Sequence, residues 1–441
     1  MLNETVVIPD SALDIALHEA CQIPLDEPLT TEALATLVEL NLSSSEIRSL
    51  EGMQYCFNLS SLDVSGNYLT DLTPVLGLLS LTTLNIGSNF YLSDDAIQKI
   101  SALIYMEELY VDYCLVASLD FAKAMPGLKK LSDNHSSSLL DVKGLENLGV
   151  LSTLFLYEAT GLTDITPLST LSSLSYLDLS RSYNIHDFSP VNQIRSLRRL
   201  DINSAKIENI NFLNNLPAIE MINFSDNKIT DLSPLINSPT LNNVAVQQNL
   251  INDLTPLNNL KNLTTLYLEQ NCITSASVLN NLPLLNICNL QNNFLTDINE
   301  IVDLPAKLDT FLYDHNFLSG YPGQKALDLS STTSLHVGET VNVEYIVCYT
   351  ADGANYVTWK DRISTGVEGY SVISNEQGVL SATGEGVFDR TTETTSVHAT
   401  LIGVSEGIST VSVQFSYSGS TPVQLPFTNG EYQTSVTVVA A

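Results

Sequence analysis

The chain is short of basic charge. Its 441 residues hold 18 lysines and arginines against 49 aspartates and glutamates, a net charge of −31. Phosphate backbones and anionic lipid surfaces attract Lys and Arg, so nucleic-acid binding and membrane-surface adhesion are excluded as properties of the whole chain. A local basic cluster stays open. No apolar run approaches the ~20 residues that span a bilayer, so direct membrane insertion is not expected. No basic stretch followed by an apolar one opens the sequence, so no signal peptide is visible. That leaves an intracellular protein, or a mature or trimmed form carrying an added Met1; the resemblance below favours the second.

Cysteine is sparse. Cys21, Cys56, Cys114, Cys272, Cys288 and Cys348 form no CxxC pair, so a structural zinc site is not expected. Buried free thiols are the expectation, with a Cys21–Cys56 bridge left open. The histidines are scattered without metal spacing, and no GxSxG elbow or phosphate-cradling glycine loop occurs. "GEGVF" (Gly384–Phe388) reads as a turn. "DNHS" (Asp133–Ser136) gathers acid, base and hydroxyl only by adjacency. No catalytic residue, metal or cofactor is assigned.

Charged residues are also few, at 15%, while hydrophobic residues reach 44%, enough for a large core. Ser, Thr and Asn supply the missing polarity, a bias that suits a secreted surface. What the chain has in quantity is repetition. "NKITDLSPL" (Asn227–Leu235) returns as "NLINDLTPL" (Asn249–Leu257). The template LxxLxLxxN starts at Leu37, Leu59, Leu81, Met106, Leu128, Leu151, Leu174, Leu197, Ile219, Leu241, Leu263, Leu285 and Leu308, numbered below as coils 1 to 13. The steps are 22 or 23 residues, with one of 25 after Leu81. In LxxLxL the last two leucines point the same way along a strand. One turn cannot bury them, but stacked turns share a continuous core. The "IxDLxPL" that follows brings the chain back, its proline favouring a tight turn or short helical start. The predicted fold is an α/β-type leucine-rich repeat solenoid, a right-handed parallel superhelix with short strands on its concave face, spanning residues 37–322.

The template's ninth position calls for Asn, whose amide both donates and accepts to bare backbone groups. Asn67, Asn89, Asn227, Asn249, Asn271, Asn293 and Asn316 make this expected ladder, while coils 4 to 8 carry Cys114, Ser136, Ala159, Ser182 and Ala205. Irregular backbone is expected there. Asp133 sits where a leucine belongs, which reads as a local register shift.

Residues 1–36 are expected to cap the first coil. "SALDIALHEAC" (Ser11–Cys21) opens with a capping-box-like Ser-x-x-Asp and continues with helical spacing, and "TTEALATLVEL" offers a second short helix. After "GYPG" (Gly320–Gly323) the composition shifts to Val, Thr, Ser and Gly. "VNVEYIVCY", "VSVQFSY" and "YQTSVTV" alternate at period two, so 323–441 is predicted to be an all-β sandwich.

The repeat LxxLxLxxNxIxDLxPLxxL, with "SLEGMQYCFNLSSLDVSGN" at the passage from cap to coils, resembles the internalin family of bacterial surface proteins. "LHVGETVNVEY" and "SNEQGVLSATGEG" resemble the group 2 bacterial immunoglobulin-like domains. The resemblance implies a helical cap, a solenoid and an immunoglobulin-like domain, exported to the surface of a Gram-positive bacterium, with host or bacterial proteins bound on the concave face. The family's contact residues do not transfer, and no cell-wall sorting motif is seen.

The outward strand positions suggest where binding occurs. Coils from Leu241 onward show mostly Asn, Gln and Thr. Coils 4 to 8 display Tyr110, Tyr113, Lys129, Lys130, Phe155, Tyr157, Tyr176, Arg181, Arg198 and Arg199, beside Glu107, Glu108, Asp112, His135, Glu158, Asp178 and Asp201. Tyr and Arg offer large contact area at low entropic cost, so these ten are the candidate partner-binding residues. A solvated face with self-paired charges is the bland alternative. A protein partner is expected; a glycan stacked on the aromatics is a rival ligand, and a passive surface spacer is a rival role.

Overall fold

The computed structural model describes residues 3–293, 295, 308–312, 334–337, 340–347, 367–374, 380–389, 394–417, 423–425 and 434–439. Asn316, Cys348 and the GYPG break lie outside them. The chain divides into two compact units. One comprises 1–206, 211–224 and 237–241, the other 207–210, 225–236 and 242–441.

Thirteen three-residue strands, from Glu39–Asn41 in coil 1 to Thr310–Leu312 in coil 13, form one parallel sheet in chain order. The register follows the template. Leu131 stands between Leu109 and Leu154, and Leu177 between Leu154 and Leu200. The central residue of each of these strands is fully buried, and its neighbours face outward. Asp133 therefore causes no register shift, contrary to the expectation; the pairs on both sides of its coil are in step, and its side chain enters the core. The 25-residue coil 3 keeps register too, with Leu84 opposite Leu109. Its surplus goes into helix α3 (Asp94–Gln98, the third helix of the chain), started by the Ser93 side chain accepting from Ala96 N.

The return segments are mostly 3₁₀ turns of three to five residues rather than α-helices, because a 22-residue coil leaves no room for more. Pro74, Pro167, Pro190 and Pro256 sit in the first turn of theirs, where a missing N–H costs nothing. Among the described residues coil 5 is the irregular one. Between Ser132 and Thr153 it holds no helical turn, only a bridge from Asp141 to Asp164. Gly144 permits this path: its φ is +103°, and a Cβ there would come within 2.2 Å of Leu119 O.

Helices α1 (Ser11–Cys21) and α2 (Thr31–Leu34) precede coil 1. The N-cap of α1 is Asp10, not the Ser-x-x-Asp start expected at Ser11. Its carboxylate accepts from Ala12 N and Leu13 N, and its other oxygen from Arg48 N and Ser49 N. One side chain thus closes the helix end and ties it to coil 1, which a local motif search does not register. Cys21 and Cys56 are free thiols.

Beyond residue 333, strands 334–336, 367–374, 407–417, 423–425 and 434–439 form a five-stranded sheet, and 340–347, 380–389 and 394–403 a three-stranded one. The described residues of the three period-two stretches, 341–347, 411–417 and 434–438, fall on strands. "GEGVF" does as well, inside Leu380–Asp389, so the expected turn there is wrong. Paired on one side with 394–403, its backbone groups serve the ladder rather than a loop.

Candidate functional site

The asparagine ladder fixes the strand ends on which everything outward depends. Asn271 is representative. Its Oδ1 accepts from Ile251 N, one coil back, and its Nδ2 donates to Val246 O and Leu268 O. Asn67, Asn89 and Asn293 repeat this scheme. Asn227 and Asn249 likewise accept from Ile207 N and Ile229 N. In coils 4, 5 and 7 the substitutes reach one carbonyl each: Cys114 Sγ to Ile86 O, Ser136 Oγ to Val116 O, Ser182 Oγ to Leu156 O.

The residue just before each ladder position turns the chain off the strand in the left-handed region, with φ between 53° and 68° from coil 1 to coil 12. Half of the twelve coils place a small or short-chain residue there: Ser44, Gly66, Ser88, Ser204, Asp226 and Asn292. Coils 10 and 11 use Gln248 and Gln270. Coils 4 to 7 use Tyr113, His135, Glu158 and Arg181. A bulky residue in this conformation costs about 1 kcal/mol or more. The cost is met four times in succession, and the four side chains meet on the surface.

They assemble into one stack. The Tyr113 ring lies flat on His135, centroids 3.9 Å apart, and His135 stands edge-on to Tyr157 at 5.2 Å. The Arg181 guanidinium covers Tyr157 at 5.5 Å, and Glu158 Oε2 lies 3.5 Å from Arg181 and 3.6 Å from His135 Nδ1. A second group occupies the strands themselves. The Lys130 ammonium sits over Tyr110 at 4.9 Å and Phe155 at 5.5 Å, Phe155 meets Tyr176 edge-on, and Arg199 covers Tyr176 at 4.5 Å. Arg199 also grips Asp201 with Nε and Nη2, and Tyr176 donates its hydroxyl to the same carboxylate at 2.8 Å. Lys129 pairs with Glu107 and Arg198 with Glu220.

The electrostatics follow from burial. Desolvation raises the Tyr176 hydroxyl, with Asp201 adding to it, and raises the neighbouring Asp178 carboxyl as well. Arg199 is held charged by its bond to Asp201, against desolvation. Under the face, burial pushes the Cys114 thiol up to about 12, so it is no nucleophile. Among the described residues no group of three or more His, Cys, Asp or Glu could hold a metal ion.

Eight of the ten sequence-selected residues thus lie in these two groups, while Lys129 and Arg198 stand apart in ion pairs with Glu107 and Glu220. His135, Glu158 and Asp201 join them as working members, though composition alone did not select them. Each cation already has a carboxylate or ring, which is the pairing the bland alternative foresaw. A further aromatic group went unread: Arg48 over Tyr68 at 5.0 Å, Tyr68 against Tyr91 at 6.2 Å, and Phe90 beside them in sequence, 62% exposed. The longer third coil was its only signal.

No family model matches the sequence, and no curated protein matches it. Solved structures do. An internalin (InlF) from Listeria monocytogenes is 30% identical, covers 71% of this chain and 91% of its own, and superposes with a TM-score of 0.65. Internalin C2 from the same species is 27% identical over 60% of this chain and 96% of its own, with a TM-score of 0.34. TLR13 in its complex with ssRNA13 is 22% identical over 61% of this chain and 41% of its own, with a TM-score of 0.53, a likeness of fold.

Proposed function

Because the chain belongs to the internalin family of leucine-rich repeat proteins, we propose that it is a secreted or cell-surface recognition module of a Gram-positive bacterium that docks a protein partner on the strand face of coils 4 to 8. The observation that carries this reading is the left-handed column. Tyr113, His135, Glu158 and Arg181 stand in four successive coils where Gly, Asp or Asn would relieve the backbone, which supports reading those side chains as kept for what they present. Cations clamped over rings and carboxylates are already ordered and lose little entropy on docking. Interleaved Tyr and Arg suit the anchors of a protein interface. Residues 323–441 serve in this reading as an immunoglobulin-like spacer.

The rival role, a passive spacer, draws on the same pairing, since satisfied charges need no partner. Binding of the labelled chain to intact host cells separates the two. Tyr113→Ala with Tyr157→Ala is expected to weaken binding at least tenfold while the thermal midpoint moves only a few degrees. Unchanged binding would leave the spacer. A loss of binding competed by free monosaccharides would instead name a glycan.

A further inference from the structure

Asp133 interrupts an otherwise apolar column. Val111 and Leu156 hold the same place in coils 4 and 6, and both are fully buried. With the strands in register on both sides, nothing turns the Asp133 side chain outward. Both of its carboxyl oxygens are buried, and neither has a hydrogen-bond partner. The Ser136 hydroxyl, three residues on, donates to Val116 O instead. From coil 4 it is faced by the Asp112 carboxylate and the Cys114 thiol. Coil 6 opposes it with Leu156 and Ala159, which carry no charge. Among the described residues no cation acts on it. An ionised carboxylate without donor or cation is far costlier in such a place than a neutral acid. Burial, opposed by the nearby Ser136 hydroxyl and aided by the Asp112 charge, raises its pKa well above the carboxylate range.

This group lies directly beneath the docking face. Asn134 separates it from His135 and ties the coil to both neighbours, donating its N–H to Asp112 Oδ1 at 2.7 Å and accepting from Tyr157 N at 2.8 Å. On the surface His135 is faced by Tyr113, Tyr157, Glu158 and, through Glu158, Arg181.

We propose that coil 5 is an acid-favoured element of the strand face, packed while Asp133 keeps its proton and loosened, together with the Tyr113–His135–Tyr157 stack, when that proton leaves. An unfolded Asp titrates near about 3.9. The folded chain therefore holds a proton that the unfolded chain gives up. The stability this group allows is fully present below about pH 3.9 and is lost as pH rises through the folded value. In that interval each pH unit moves the folding equilibrium about tenfold toward the unfolded chain. The effect on docking rests on the function proposed above; the packing claim needs no partner to test.

The test uses the full chain as wild type, Asp133→Leu and Asp133→Asn, with urea unfolding and hydrogen exchange of coils 4 to 6 between about pH 5 and pH 8. Asp178 and Glu269 are also raised by burial, but all three proteins share them, so differences isolate Asp133. The expected result is a folding constant that falls with rising pH by up to about tenfold per unit more in wild type than in either variant over that range. Exchange in coils 4 to 6, corrected for the intrinsic rate, should accelerate about tenfold or more in wild type alone. Asp133→Asn keeps the size and cannot ionise, so it guards against a packing fault in the leucine variant. Parallel pH profiles for all three proteins overturn the proposal, as does acceleration that persists in both variants.

Discussion

Coils 10 to 12 and coils 4 to 8 share one leucine register but differ in both columns that the core does not use. In the former, Asn249, Asn271 and Asn293 are buried and wired to neighbouring backbone, and the face is mostly Asn, Gln and Thr. In the latter, the ladder shrinks to Cys, Ser and Ala, while the face fills with Tyr, Arg, Lys and their acids. Strand pairing is continuous through both. The leucine columns therefore suffice to hold the register, and the asparagines add stability to it. Where stability is given up at two columns at once, by a thinned ladder and by bulky left-handed residues, the surface is being kept for some other use.

The sharpest way to break this comparison is to remove the ladder where it is intact. Asn271→Ala would orphan Ile251 N and remove one of the two amide donors on Val246 O and on Leu268 O, which keep Asn249 and Asn293 respectively. The orphan costs about 1–3 kcal/mol and each of the two lost bonds about 0.5–1.5 kcal/mol, so a loss of about 4 kcal/mol in urea unfolding is expected. Ser182→Ala removes only the bonds to Leu156 O and from Ala159 N, and about 1–2 kcal/mol should go with them. Equal losses at the two sites would mean that the ladder matters no more in one region than in the other.

A somewhat smaller effect is expected at Gly144, the residue that lets coil 5 return without a helical turn. Gly144→Ala meets a left-handed φ of +103° and a carbonyl 2.2 Å from the new Cβ. A cost of about 3 kcal/mol is expected, read as a lowered urea midpoint. If Ala is tolerated, coil 5 has slack of its own, and its irregular path is not held by this contact.

What the sequence made legible follows from period and burial. Leucines recurring at 22 residues have one economical solution, so the parallel sheet and its register could be read residue by residue. Turn chemistry was less legible. Asp10 caps α1 because its second oxygen is recruited by coil 1, a contact 38 residues away. "GEGVF" looked like a turn because two glycines were given more weight than the β-ladder they join. Asp133 at a leucine position reads as a shift only if burying a lone carboxyl costs more than slipping a strand. A one-residue slip would expose Leu131 as well, and that cost is the larger. Of the candidate site, residue types were legible but pairings were not. Nothing in the spacing of Arg199 and Asp201 shows that one is bidentate to the other.

That last pairing decides how the surface can be tested without disturbing the fold, and it carries the smallest expected effect. Arg199 cannot be removed cleanly, because Asp201 is only 4% exposed and would be left a buried charge without its partner. Arg198 is different. It stands 62% exposed against a Glu220 that is 38% exposed, and such pairs contribute about 0–1 kcal/mol. Arg198→Ala should therefore shift the urea midpoint by no more than about 0.5 kcal/mol, and raising the salt concentration should erase even that. Lys129→Ala, which breaks the exposed pair with Glu107, should behave alike. Against this nearly silent background, any several-fold change in cell binding by either variant reports on the face itself. A stability loss of 2 kcal/mol or more, by contrast, would show that the charges of coils 4 to 8 replace the thinned ladder, and the difference between the two regions would then be one of scaffolding rather than recognition.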